Sequence, residues 1–124
     1  MENTCRSGIT YSEDRIVIDL EGQLSVECIV KVSRELKDSP QRKSGIPEIW
    51  ELSDADLSEI DPESVAAATT ALEAMWDPDS TTKVAIVSEK TINLGHVNLF
   101  RELYNRDEIN VFDSMDEAIK WINE

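Results

Sequence analysis

One histidine, two cysteines and an excess of carboxylates are the chemically active side chains of this 124-residue chain. Asp54, Asp56 and Ser58 have the one-three-five spacing of a calcium loop, in which alternate oxygens converge on a cation. Glu59 stands where that loop needs a glycine for its sharp turn, and Val65 where it needs a bidentate carboxylate, so the segment reads as a solvated loop. His96, Cys28 and an aspartate could be drawn as a thiol triad, but no nucleophile signature surrounds the cysteine. Gly95 lies near a helix start after a strand, where free amides can meet phosphate, with Lys90 close by. A single glycine matches neither the Rossmann nor the P-loop pattern. No catalytic motif is complete, and no cofactor or metal is expected. The expectation is a binding or regulatory module.

Two further features stand out by position. Asp61-Pro62-Glu63-Ser64 opens a helix after a strand, at the carboxyl edge of a parallel sheet, where such folds place their sites. Asp61 suits the N-cap, Pro62 the first helical position, and Glu63 the positive end of the helix dipole. Trp50, Trp76 and Trp121 could line a small-molecule cavity, although each also follows the apolar period of its own element, as core residues do.

The elements that must position these residues alternate. After a polar lead over residues 1–8, a short strand at 9–11 and a second at 15–20 form a hairpin. In the second, Ile16, Ile18 and Leu20 share one face, and Val17, Asp19 and Glu21 the other. Gly22 ends the strand, and Ser25 caps a helix over Val26–Asp38 with Cys28, Ile29, Val32 and Leu36 at helical spacing. A strand follows at 46–52, then an acidic loop at 53–61, and a helix that starts at Asp61-Pro62 and stops at Asp77-Pro78. The run at 83–88 is apolar on both sides and reads as an interior strand. A helix at 94–104, a strand at Ile109–Phe112 and a last helix with the Ser114/Glu117 capping box complete the chain. That order implies one α/β domain over residues 9–124 with a largely parallel sheet. Right-handed crossovers at one growing edge place the helices on one face. The half-polar second face, with Asp19, Glu21 and Glu51, fits a sheet left partly open on the other side.

Composition narrows the function classes. Twenty-six acidic residues against twelve basic ones give a formal charge of −14. A surface of that sign repels phosphate backbones, which argues against nucleic acid or an anionic membrane as partner. Two cysteines are too few for a disulfide framework and lack metal-ligand spacing. Cys28 reads as a small core hydrophobe and Cys5 as an exposed thiol. The first residues lack the apolar run of a secretory signal, and no stretch is long and apolar enough to span a membrane, so the cytoplasm is the expected compartment.

Three stretches resemble the SpoIIAA-like family of STAS-type domains, the fold of the anti-sigma-factor antagonists. Arg15-Ile-Val-Ile-Asp-Leu-Glu-Gly22-Gln-Leu24-Ser25 resembles the family's strand, Gly-x-Leu turn and helix entry. Lys83-Val-Ala-Ile-Val-Ser88 is similar to its central strand. Val111-Phe112, followed by Glu117-Ala118 and Trp121, is similar to its C-terminal ending. The resemblance spans the chain from Ile9. It implies a βα superhelix with a sheet of about five strands, mixed but mainly parallel, with about four helices mostly on one face and no catalytic machinery. In the antagonist branch, an Asp-Ser-Ser-Gly-like turn at the second helix start is phosphorylated by a partner kinase, which abolishes partner binding. The matching place here is Asp61–Ser64. Asp61 is retained, Pro62 or Glu63 takes the acceptor serine's place, and the glycine is missing. The resemblance thus implies a protein partner at Asp61, Glu63 and Ser64. A small apolar or lipid-like ligand beside Trp50, Trp76 and Trp121 is the alternative. A homodimer through the open sheet face or the 109–112 edge is a further expectation. A deep apolar cavity would favour the ligand, and a flat apolar patch beside Asp61 the protein partner.

Overall fold

A computed structural model describes residues 5–40, 45–75, 82–89, 91–104 and 108–124. Strands β1 (Arg6–Tyr11) and β2 (Ile16–Gln23) form the expected antiparallel hairpin, with Ile9 opposite Ile18. Helix α1 (Val26–Asp38) leads to β3 (Glu48–Glu51), which adds to β2 in parallel. A two-residue β4 (Ala55–Asp56) precedes α2 (Pro62–Met75). Then come β5 (Val84–Val87), α3 (Thr91–Tyr104), β6 (Ile109–Phe112) and α4 (Met115–Ile122). The sheet order is β1-β2-β3-β5-β6, parallel after the first pair, with β4 also on β2.

Each new strand joins the same edge, and the hydrophobic layers follow from that. In register across the sheet, Ile9, Ile18, Trp50, Ile86 and Val111 form one row. They pack with Cys28, Val32 and Leu36 of α1, Val65 of α2 and Val97 of α3. The three crossover helices therefore share one face, as right-handed connections require. Helix α4 does not. Among the described residues it connects no two strands, so the handedness rule for crossovers does not apply to it. It packs on the opposite face against Ile49, Ala85 and Val87. The helices are thus mostly, not all, on one face, and β5 is buried on both sides, as its apolar run demands.

Local chemistry sets the element ends. The Ser25 hydroxyl accepts the Cys28 amide at 3.2 Å, and the Ser114 hydroxyl accepts that of Glu117 at 3.1 Å. Gly22 has φ +81°, a conformation that disfavours any Cβ, and it lies inside β2 rather than ending it. There the pairing steps by one residue, from Asp19 opposite Glu51 to Gly22 opposite Ala55. One extra residue is thereby accommodated as a bulge at 52–54. Leu52 meanwhile turns to β5, its amide donating to the Val87 carbonyl at 2.7 Å. The expected acidic loop at 53–61 therefore holds a strand: Asp56 lies in β4, and Asp54 and Ser58 lie in the turns before and after it. The Gly22 amide donates to the Asp54 carbonyl, and Asp56 Oδ1 accepts the Ser58 amide at 2.8 Å.

The cysteines require a correction. Cys5 and Cys28 are bonded to each other, so Cys5 is no exposed thiol and neither is free to act as a nucleophile. They are 23 residues apart in sequence. Only the return of β1 alongside β2 brings them together.

Candidate functional site

Between the sheet and helices α1, α2 and α3 lies a cavity of about 100 Å³ whose wall is wholly apolar. The sheet supplies Leu20, Trp50, Ile86 and Ile109, from four strands. Val26 and Ile29 close it from α1, Val65 and Ala68 from α2, and Val97 and Phe100 from α3. Leu57 and Ile60 come from the connection between β4 and α2. These side chains meet because each falls on the inward stripe of its helix or the inward alternation of its strand.

Two polar side chains beside this space have their hydrogen-bonding groups engaged elsewhere. His96, half-buried on α3, places Nε2 against the Ile60 carbonyl, to which it donates when the proton is on that nitrogen. It thereby ties α3 to the connection before α2 and keeps that nitrogen from the cavity. The Trp50 indole N–H donates to Glu48 Oε1 at 3.2 Å, and Glu48 is fully buried. The ring itself is left to line the cavity. The arrangement can take up an apolar group and shield it from water.

The structure separates Trp50 from Trp121. Trp50 lines the cavity. Trp121 lies on α4 at the opposite face of the sheet, with its ring 5.6 Å from that of Phe112 and the Lys83 ammonium 5.2 Å above it. Lys83 Nζ also donates to the Trp121 carbonyl at 3.0 Å, capping α4. Trp121 is removed from the cavity because α4 packs on the opposite face of the sheet from the crossover helices. Trp76 lies outside the described residues, as does Lys90.

Asp61, Glu63 and Ser64 come together as the first turn of α2. Asp61 Oδ1 accepts the Ser64 amide at 2.7 Å. That bond, with others from the Ser64 hydroxyl and the Glu63 amide, holds the Asp61 carboxyl below the usual carboxylate range. Asp61 and Glu63 are exposed and face water, while their neighbours Ile60 and Val65 line the cavity. Gly95 is the fifth residue of α3, which starts at Thr91, and so it lies away from the free amides of the helix start. Among the described residues, no group of three His, Cys, Asp or Glu side chains could hold a metal ion.

Sequence reading missed most of the wall. Leu57 and Ile60 lie in the stretch read only as an acidic loop, where their apolar character was the available signal.

No protein-family model matches the chain, and no curated protein matches it. Among solved structures, it is similar to an uncharacterised protein of the DUF3478 family with a SpoIIAA-like fold, from Shewanella loihica PV-4. That likeness has a TM-score of 0.62 at 17% identity and covers 98% of both chains. The sheet order, the crossovers on one face and this match together show that the chain has a SpoIIAA-like fold.

Proposed function

We propose that this chain is a non-catalytic SpoIIAA-like module that binds a small apolar molecule, or the apolar part of a lipid-like one. The site is the cavity between the sheet and α1–α3. The observation that carries this reading is an apolar space of about 100 Å³ walled by strands and three helices. Native cores keep few voids larger than a water molecule. Leaving one of this size empty costs on the order of 2 kcal/mol, a penalty that a bound apolar group offsets. An apolar cavity of roughly 150 Å³ takes benzene, so the fitting ligand has one small ring or a short alkyl segment.

The start of α2 supports a protein partner less well. Its exposed residues, Asp61, Pro62 and Glu63, form no apolar patch, and the one large apolar side chain exposed among the described residues is Leu103, on α3. We place the module in the cytoplasm, in keeping with a strongly acidic chain in which no described helix is long and apolar enough to cross a membrane.

Fluorobenzene is a suitable probe, followed by ¹⁹F NMR. The expected result is saturable binding that raises Tm, and its loss in Ala68→Leu, whose added carbons occupy the cavity. Absence of binding up to the solubility limit of the probe would refute the reading.

A further inference from the structure

The bond between Cys5 and Cys28 ends on α1 between residues that line the cavity, though neither cysteine lines it itself. Cys5 precedes β1, Cys28 lies in the first turn of α1, and their Cα atoms are 6.6 Å apart, within the usual span of a disulfide. Leu24, Val26 and Ile29, which lie on either side of Cys28 in the sequence, all line the cavity. The two tethered elements are held differently. Strand β1 is an edge strand, mostly exposed and paired only with β2. Helix α1 keeps Val32 and Leu36 in the core beyond the tether, so its far end stays anchored whatever happens at Cys28.

We propose that the Cys5–Cys28 bond is a redox-controlled latch on the apolar cavity. Oxidised, it pins the first turn of α1 over the cavity; reduced, it lets that turn lift and opens a path for the ligand. The proposal rests on the cavity being a ligand site. It also reconciles the bond with a cytoplasmic location, where disulfides are usually transient and redox-sensing.

The reductant is a dithiol. One of its thiolates attacks the Cys5 sulfur, forms a mixed disulfide and expels Cys28 as a thiolate. The second thiol of the reductant then displaces Cys5 and closes the reductant's own disulfide. Two electrons pass to the protein, and the two protons that the dithiol loses end on the Cys5 and Cys28 thiols. Attack falls on Cys5 because it is half-exposed, whereas Cys28 is 7% exposed. The departing anion forms in the first turn of α1, where free amides favour negative charge. A small-molecule disulfide reverses the sequence.

The test measures fluorobenzene exchange by ¹⁹F saturation transfer on the intact chain, oxidised, reduced with excess dithiothreitol, and reoxidised with glutathione disulfide. Exchange should accelerate on the order of tenfold on reduction, since losing the tether restores freedom to the loop it closed, and return on reoxidation. A Cys5→Ser/Cys28→Ser double variant should exchange fast under both conditions. Equal rates in the oxidised and reduced chain overturn the latch and leave the cavity reading standing. Global unfolding on reduction, seen as loss of amide dispersion, makes the bond a structural staple and also overturns the latch. Binding in neither state overturns the cavity reading and the latch together.

Discussion

On the side of α1, α2 and α3, branched and aromatic side chains reach across from sheet to helices and leave a space between them. On the side of α4, the helix approaches closely at two small residues, Ala85 and Ala118, both fully buried, with Ile49, Val87 and Ile122 packed around them. Beyond the reach of α4, this second face turns acidic within one row of the register, from Phe112 and Val87 to Glu51 and Asp19. The difference teaches where this fold has room. Crossover helices are held by their connections at both ends, so they can span a void. Among the described residues, helix α4 spans no pair of strands and is held on its face by close contact.

The sharpest way to break that comparison is to make the same substitution on each side. Ala118→Leu forces extra carbons into the tight α4 contact and should destabilise the fold by about 2 kcal/mol, measured by chemical denaturation. Ala68→Leu places the same group in the cavity and should leave stability unchanged or raise it by up to about 1 kcal/mol. Equal losses from the two variants would mean that the cavity side has no usable room, and the contrast would collapse.

A smaller effect concerns the open acidic part of the second face. Partial burial, then the nearby carboxylates of Glu51, Glu21 and Asp54, raise the Asp19 carboxyl above its ordinary value of 3.8. The folded chain therefore holds this proton more tightly than the unfolded chain does. The resulting penalty on folding is present above the folded pKa and is relieved as pH falls through it. Asp19→Asn should accordingly raise Tm near neutral pH, by no more than about 0.5 kcal/mol in stability after solvent screening. The gain should shrink on acidification. Asp61 has the opposite sign. Its lowered carboxyl contributes stability above 3.8 that is lost as pH falls through its folded value. A gain from Asp19→Asn that is constant with pH would remove repulsion as its cause.

Much of the fold could be read from local signals. The capping residues Ser25, Asp61 and Ser114, the alternation in β2 and the apolar run of β5 each act within a few residues, and the structure places an element at every one. The start of α3 was read three residues late because Thr91, Ile92 and Asn93 are poor helix formers. Strand β4 was missed because Ala55 and Asp56 have little intrinsic strand preference, and their pairing exists only because a bulge returns the chain to β2.

By itself, then, the sequence determined the order of the elements other than β4, the parallel sheet, the face that the crossover helices cover and the acidic character of the open one. These follow from periodicity, caps and the handedness of crossovers, which are properties of short segments. The cavity, the separation of Trp50 from Trp121 and the Cys5–Cys28 bond were decided only by the tertiary structure. Each depends on how closely residues far apart in the chain approach one another, and no local preference specifies that distance.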